Sequence, residues 1–213
     1  KYGEEMINSG GLRVITTLDY GMQQKAEDVV TKFAPSLESN FNASNTAMVA
    51  IDPKTGDILT MVGSRNYFST TIEGNYNIAL AKRQPGSTFK PFVYATAFKK
   101  GYTPETVLFD AETEFSTQCT VEGKPKNPTD DPTKICYSPD EYDHVFEGPL
   151  TIRQALAQSR NVPAVKALYL AGIGNALQTA EDMGITGLND PNRYGLTLVL
   201  GGGEVSLLDL TSA

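Results

Sequence analysis

Apolar positions along the chain change period several times, and each change marks an element. Residues 12–18 (Leu-Arg-Val-Ile-Thr-Thr-Leu) are short and β-branched, the pattern of a strand. Asp19 has capping chemistry, and Met22, Ala26, Val29, Val30 and Phe33 follow at helical spacing until Pro35, where the helix is expected to end. Thr46–Ile51 and Ile58–Val62 flank Asp52-Pro53-Lys54-Thr55-Gly56-Asp57, which reads as a hairpin. After the break at Gln84-Pro85-Gly86, the residues Phe89, Phe92, Val93, Thr96 and Ala97 mark one face of a helix closed by Gly101. Pro91 fits there because the first turn has few paired N–H groups.

From about Asp110 to Glu147 no helical period survives and four prolines intervene, so a long loop or irregular hairpin is expected. Thr151 and Gln154 have the spacing of a capping box for a helix through Gln158. Pro163 suits the first position of another helix running to Gly172, and a third spans Asn175 to Met183. Ser206 and Asp209 open one more near the end of the chain. No internal repeat is visible.

The chain has 213 residues, enough for one large domain or two small ones, and a normal globular share of apolar side chains at 40%. Its net charge of −7 is concentrated: Asp110 to Glu147 holds ten acids against three bases, and the remainder balances. An acidic chain without a basic stripe is a poor nucleic-acid binder. No run of 18 apolar residues occurs, so no transmembrane span is expected here. The chain starts at Lys1 without a leader, which suggests a piece of something longer with any membrane anchor upstream. Cys119 and Cys136 lie within the acidic segment with 16 residues between them. A disulfide, two free thiols and a metal site are the alternatives; zinc would want four ligands, and the one histidine, His144, is not at ligand spacing.

Ser87-Thr88-Phe89-Lys90 puts a serine and a lysine one helical turn apart. A neutral amine there would take the hydroxyl proton, provided burial or a nearby cation lowers its proton affinity. The bare spacing is expected by chance about once in a chain of this length. Ser159-Arg160-Asn161 sits where one helix breaks and the next begins, able to point a hydroxyl and an amide into a cleft. Ser64-Arg65-Asn66 repeats the tripeptide, so the tripeptide alone means little. His144 has no serine partner in view, and a partly buried loop histidine is the plainer reading.

Context gives these residues their weight. Val14-Ile-Thr-Thr-Leu-Asp19, Ala50-Ile-Asp-Pro-Lys-Thr-Gly56, Arg83-Gln-Pro-Gly-Ser-Thr-Phe-Lys-Pro-Phe92, Ser159-Arg-Asn-Val-Pro-Ala164 and Tyr194-Gly-Leu-Thr-Leu-Val-Leu-Gly-Gly-Gly-Glu-Val-Ser206 together resemble the transpeptidase domain of class A penicillin-binding proteins. The resemblance covers nearly everything but the acidic segment. It implies the α+β fold of serine D,D-peptidases and β-lactamases, an antiparallel sheet flanked by helices. It also implies a peptidoglycan D,D-transpeptidase (or carboxypeptidase) that uses no cofactor or metal and is acylated by β-lactams.

Ser87 would be the nucleophile, Lys90 its base, Ser159 a proton relay and Asn161 a holder of the substrate amide and of Lys90. The substrate would be the D-Ala-D-Ala stem peptide, at the extracytoplasmic face of the bacterial cytoplasmic membrane, where Cys119 and Cys136 would be oxidised. A serine β-lactamase or β-lactam sensor, and a non-catalytic module of the same fold, are the alternatives. The third motif of the family, Lys-Thr-Gly, must lie on an inner strand after the serine helix. Lys54-Thr55-Gly56 lies in a hairpin turn before it and is set aside. Residues 1–213 are therefore expected to be the N-terminal portion of one such domain, with about 110–147 an acidic insertion. A C-terminal remainder, in a second chain or a continuation, would complete the site.

Overall fold

A computed structural model describes residues 3–188 and 190–213, which divide after Ala81 into two compact units. In the first, α1 (Glu4–Ser9) is followed by an extended stretch and then α2 (Tyr20–Phe41), whose cap is the Asp19 carboxylate accepting from Met22 N. The helix does not end at Pro35. Losing one N–H in the middle is offset by the buried face Ala26, Val30 and Ala34, and Asn42 terminates the helix in the left-handed region at φ 54°. Helix α2 packs on a hairpin of β1 (Met48–Ile51) and β2 (Ile58–Val62), paired Met48↔Val62 and Ala50↔Thr60 with an irregularity before Ile51. Ala26, Val30, Val62 and Met48 form its small core.

Lys54-Thr55-Gly56 is the hairpin tip, where Gly56 takes φ 77°, so its place in the sequence is explained by turn geometry. Residues 12–18 do not form the expected strand. Thr17 Oγ1 donates to Ile58 O (2.7 Å) and Asp19 N to Leu59 O (2.9 Å), but no ladder follows. Val14 and Ile15 stay exposed, leaving no buried face to fix a strand register.

The second unit is built on α3 (Lys90–Lys99), preceded by a 3-10 turn over Gly86–Phe89. Next come β3 (Val107–Asp110), a short α4 (Pro132–Ile135), β4 (Gly148–Thr151), α5 (Ile152–Ala157), α6 (Asn161–Ala171), α7 (Ile173–Asp182) and α8 (Leu207–Ser212). Strands β3 and β4 pair antiparallel from Val107↔Thr151 to Asp110↔Gly148. The whole acidic segment is therefore the connection of one hairpin. The capping box at Thr151 and Gln154 forms in full, and Ser206 Oγ accepts from Asp209 N to start α8. Helix α6 begins at Asn161 rather than at Pro163, because a carboxylate from the acidic segment caps its first N–H groups (below).

Helices α3, α6 and α7 pack on one another around Phe89, Val93, Val165, Leu168, Ala176 and Leu198, all almost fully buried. Each of the larger ones stabilises the unit by about 1.5–3 kcal/mol. Inside the acidic segment a disulfide joins Cys119 and Cys136 with Cα atoms 5.6 Å apart. The Glu114 carboxylate lies within 4.8 Å of both sulfurs, but sulfurs bonded to each other offer a metal no thiolate.

With a loop of 17 residues closed by that bond, the chain-entropy model gives it about 3 kcal/mol. Cys119→Ser with Cys136→Ser is expected to lower the urea midpoint accordingly. An unchanged midpoint would show that other contacts alone hold the segment.

Candidate active site

Ser87 sits in the 3-10 turn before α3 and is exposed, whereas Lys90, the first residue of α3, is fully buried. The turn is held from two sides. Arg83 and Val205 exchange backbone hydrogen bonds of 2.9 Å in both directions, and Gly201 lies against Gly86. A Cβ at Gly201 would come 2.2 Å from Gly86 N, and Gly201 itself has φ 91°, so no side chain fits where the Ser87 turn rests on the Gly201–Gly203 stretch.

Lys90 Nζ points away from its own turn. It donates to Ser159 O (2.5 Å) and Asn161 Oδ1 (2.9 Å), and lies 3.3 Å from Ser159 Oγ. Among the described residues the Ser87 hydroxyl has no hydrogen-bond partner, so Ser87 and Lys90 are not bonded to each other, and the lysine amine is held by Ser159 and Asn161 instead. Burial pulls the Lys90 amine down to about 8, with the nearby Arg160 charge adding to the fall and the Glu141 charge opposing it.

The Ser159-Arg160-Asn161 corner owes its shape to the way α5 ends. Ser159 N donates to Leu156 O and Arg160 N to Ala155 O, a Schellman closure that needs a left-handed residue between them. That residue is Ser159, at φ 56°, where glycine is usual. The strain aims its carbonyl and hydroxyl at Lys90. Asn161 is pinned at both ends of its amide, Oδ1 by Lys90 and Nδ2 by Asp140 O (2.9 Å).

Sequence reasoning missed the groups behind this corner. Arg160, the unremarked middle residue, is fully buried. Its Nε donates to Asp110 Oδ2 (2.9 Å), Nη1 to Asp143 Oδ2 (3.0 Å) and Nη2 to Val145 O. Glu141, also buried, accepts from Asn161 N (2.7 Å) and Val162 N (2.7 Å) and so caps α6. The signal was present as a charge excess in the acidic segment without an assigned counterion. His144, by contrast, is exposed and pairs with Asp140 at 2.5 Å, which raises its proton affinity; it is not half-buried as expected, and among the described residues no serine bonds to it. Ser64-Arg65-Asn66 is structural: Ser64 Oγ donates to Asn45 Oδ1 and Arg65 pairs with Glu38.

The family profile described as "Penicillin binding protein transpeptidase domain" matches residues 46–192, and the chain belongs to that family. Penicillin-binding protein 2D of Bacillus subtilis is 37% identical over 186 residues, 85% of this chain and 24% of that protein. Penicillin-binding protein 1A of Pseudomonas aeruginosa is 31% identical over 192 residues, 89% of this chain and 20% of that protein. The chain thus spans about a quarter or less of these relatives' length. Among solved structures, the penicillin-binding protein PonA1 from Mycobacterium tuberculosis superposes with a TM-score of 0.72 at 22% identity, covering 97% of this chain and 50% of that one. The expected α+β penicillin-binding fold is the observed one, with its helices and two small antiparallel sheets.

Ser159→Gly and Ser159→Ala both remove the hydroxyl, and only glycine relieves the left-handed strain. The glycine variant is expected to be the more stable of the two by about 1 kcal/mol in urea unfolding. The reverse order would show that Ser159 is not strained.

Proposed function

We propose that this chain carries the nucleophile side of a peptidoglycan D,D-transpeptidase site, with Ser87 the nucleophile and Lys90 its base. The observation that carries the reading is the state of Lys90. A lysine buried beside an arginine and held by Ser159 and Asn161 is able to shed its proton near neutral pH, one turn from an exposed serine on a fixed turn.

Ser87 Oγ attacks the carbonyl carbon of the penultimate D-Ala of a stem peptide, and its proton passes to Lys90 Nζ. Collapse of the tetrahedral species breaks the C–N bond, and Ser159 Oγ, 3.3 Å from Lys90, hands a proton to the departing D-Ala amine. An amine from a second stem then attacks the acyl ester, returns a proton through the same pair and frees Ser87. Asn161, its amide fixed at both ends, presents its side chain to the substrate backbone. Penicillin acylates the same serine by opening its β-lactam ring, consistent with the names of the relatives. Water in place of the second amine would give carboxypeptidase activity. A strand bearing the third motif is expected to face Ser87, a contribution that none of the described residues makes.

The Cys119–Cys136 disulfide supports an oxidising location at the extracytoplasmic face of the membrane. No helix among the described residues is long and apolar enough to cross it.

Ser87→Ala is expected to abolish covalent labelling by a fluorescent penicillin. Lys90→Arg, which keeps the charge but cannot release it, is expected to slow acylation by about 10²–10⁴. Because only the neutral amine accepts a proton, the acylation rate of the wild type rises as pH passes through about 8, with about a tenth of the lysine neutral at pH 7. An adduct formed by Ser87→Ala at the wild-type rate would overturn the assignment.

A further inference from the structure

Lys90, Asp110, Glu141 and Arg160 are the only charged residues that are buried among the described residues, and they form one cluster. Two cations face two anions. The arrangement is neutral only while Lys90 is an ammonium, yet the reaction proposed above needs Lys90 as a free amine. An uncompensated buried charge is expensive, so losing the lysine proton calls for a change elsewhere in the cluster.

The geometry shows where. Asp110 and Glu141 both approach Arg160 Nε, at 2.9 Å and 3.5 Å, so a single N–H faces two carboxylates. Asp110 Oδ2 is satisfied by Arg160 Nε and Glu147 N, but Asp110 Oδ1 is buried with no partner. An acidic hydrogen between the two carboxyl groups is the donor that this oxygen lacks.

We propose that Asp110 and Glu141 share one proton when Lys90 is neutral, making them positioning residues that keep the buried cluster neutral while the lysine acts as base. In net terms an N–H bond breaks at Lys90 Nζ and a carboxyl O–H forms in the pair, so the cluster's charge does not change. When Lys90 takes the Ser87 proton the pair keeps its own; the added positive charge is balanced by the oxyanion of the tetrahedral species and is removed when Lys90 passes its proton on through Ser159. This rests on Lys90 being the base.

The surroundings fit. Burial and the neighbouring Asp110 carboxylate both push the Glu141 carboxyl upward, against the two backbone N–H groups that it caps. The other charged or titratable groups at the cluster are Tyr94 from α3, Asp143, Glu147 and Tyr142 from the acidic segment, the last with its ring 5.6 Å from the Arg160 guanidinium carbon, and Lys166 from α6, which feels the Asp110 charge. Asp143 and Glu147 are partly exposed and bind the outer side of Arg160, so solvent screens them and the exchange falls to the buried pair.

Glu141→Gln replaces the carboxyl group by a neutral amide whose oxygen can still accept from Asn161 N and Val162 N, as Glu141 Oε1 does. Asp110→Asn makes the same substitution from the other side. Both variants leave the buried charge neutral with Lys90 deprotonated. The acid limb of the pH profile for penicillin acylation, measured on the full-length protein, is expected to move down by about one pH unit in each. A purely structural role would leave the limb in place, and a permanently ionised pair would move it by charge alone. The deciding readout is therefore the infrared C=O band of a protonated carboxyl group, expected in the wild type when Lys90 is neutral and lost in both variants. An unmoved limb or a missing band would overturn the proposal. Absence of a Ser87 adduct in the wild type would instead overturn the catalytic reading and this proposal with it.

Discussion

A guanidinium with no exposed surface is the constraint on which the second unit is built. Arg160 draws Asp110 from the end of β3, Asp143 and the Val145 carbonyl from the acidic segment, and Glu141 from beside the start of α6. Removing one partner of such a buried pair costs about 3–5 kcal/mol, because the remaining charge is stranded. Exposed pairs such as Arg153 with Glu105 contribute far less, about 0–1 kcal/mol. The acidic segment, although long and irregular, is therefore fixed where it passes the candidate site.

That anchoring carries through to chemistry by short steps. Glu141 caps α6, so Asn161 begins the helix with its backbone held and its amide locked between Lys90 and Asp140. Ser159 accepts a strained backbone because the Schellman closure of α5 and the burial of Arg160 leave it no alternative. Lys90 then finds three oxygens at its amine in a place where water cannot solvate a charge. On the other side, Gly201 lets the backbone approach Gly86 and steadies the turn that presents Ser87. Fold stability and proton affinity at the site are set by the same few contacts.

Much of this was legible in the chain, and the failures share a cause. The hairpin at Asp52–Asp57, the capping box at Thr151 and the cap at Ser206 are local patterns, and all form as read. Pro35 misled because tertiary burial of Ala34 outweighs one lost hydrogen bond, and residues 12–18 because β-branching without a buried face does not make a ladder. Within the site, Ser87, Lys90, Ser159 and Asn161 stood out by spacing and resemblance. Arg160, Asp110 and Glu141 did not, since their meaning lies in pairings across 50 and about 20 residues of sequence that no local pattern encodes. The charge excess of the acidic segment was visible, but its buried counterion was not.

The central claim is that the buried cluster holds Lys90 ready to lose its proton. Selective ¹³Cε labelling of lysine, with the Lys90 signal assigned by its loss in Lys90→Arg, allows that amine to be titrated directly. A midpoint at about 8 is predicted. A midpoint in the ordinary range of an exposed lysine would show that the amine stays charged throughout the neutral range, and the account of Ser87 activation would be wrong.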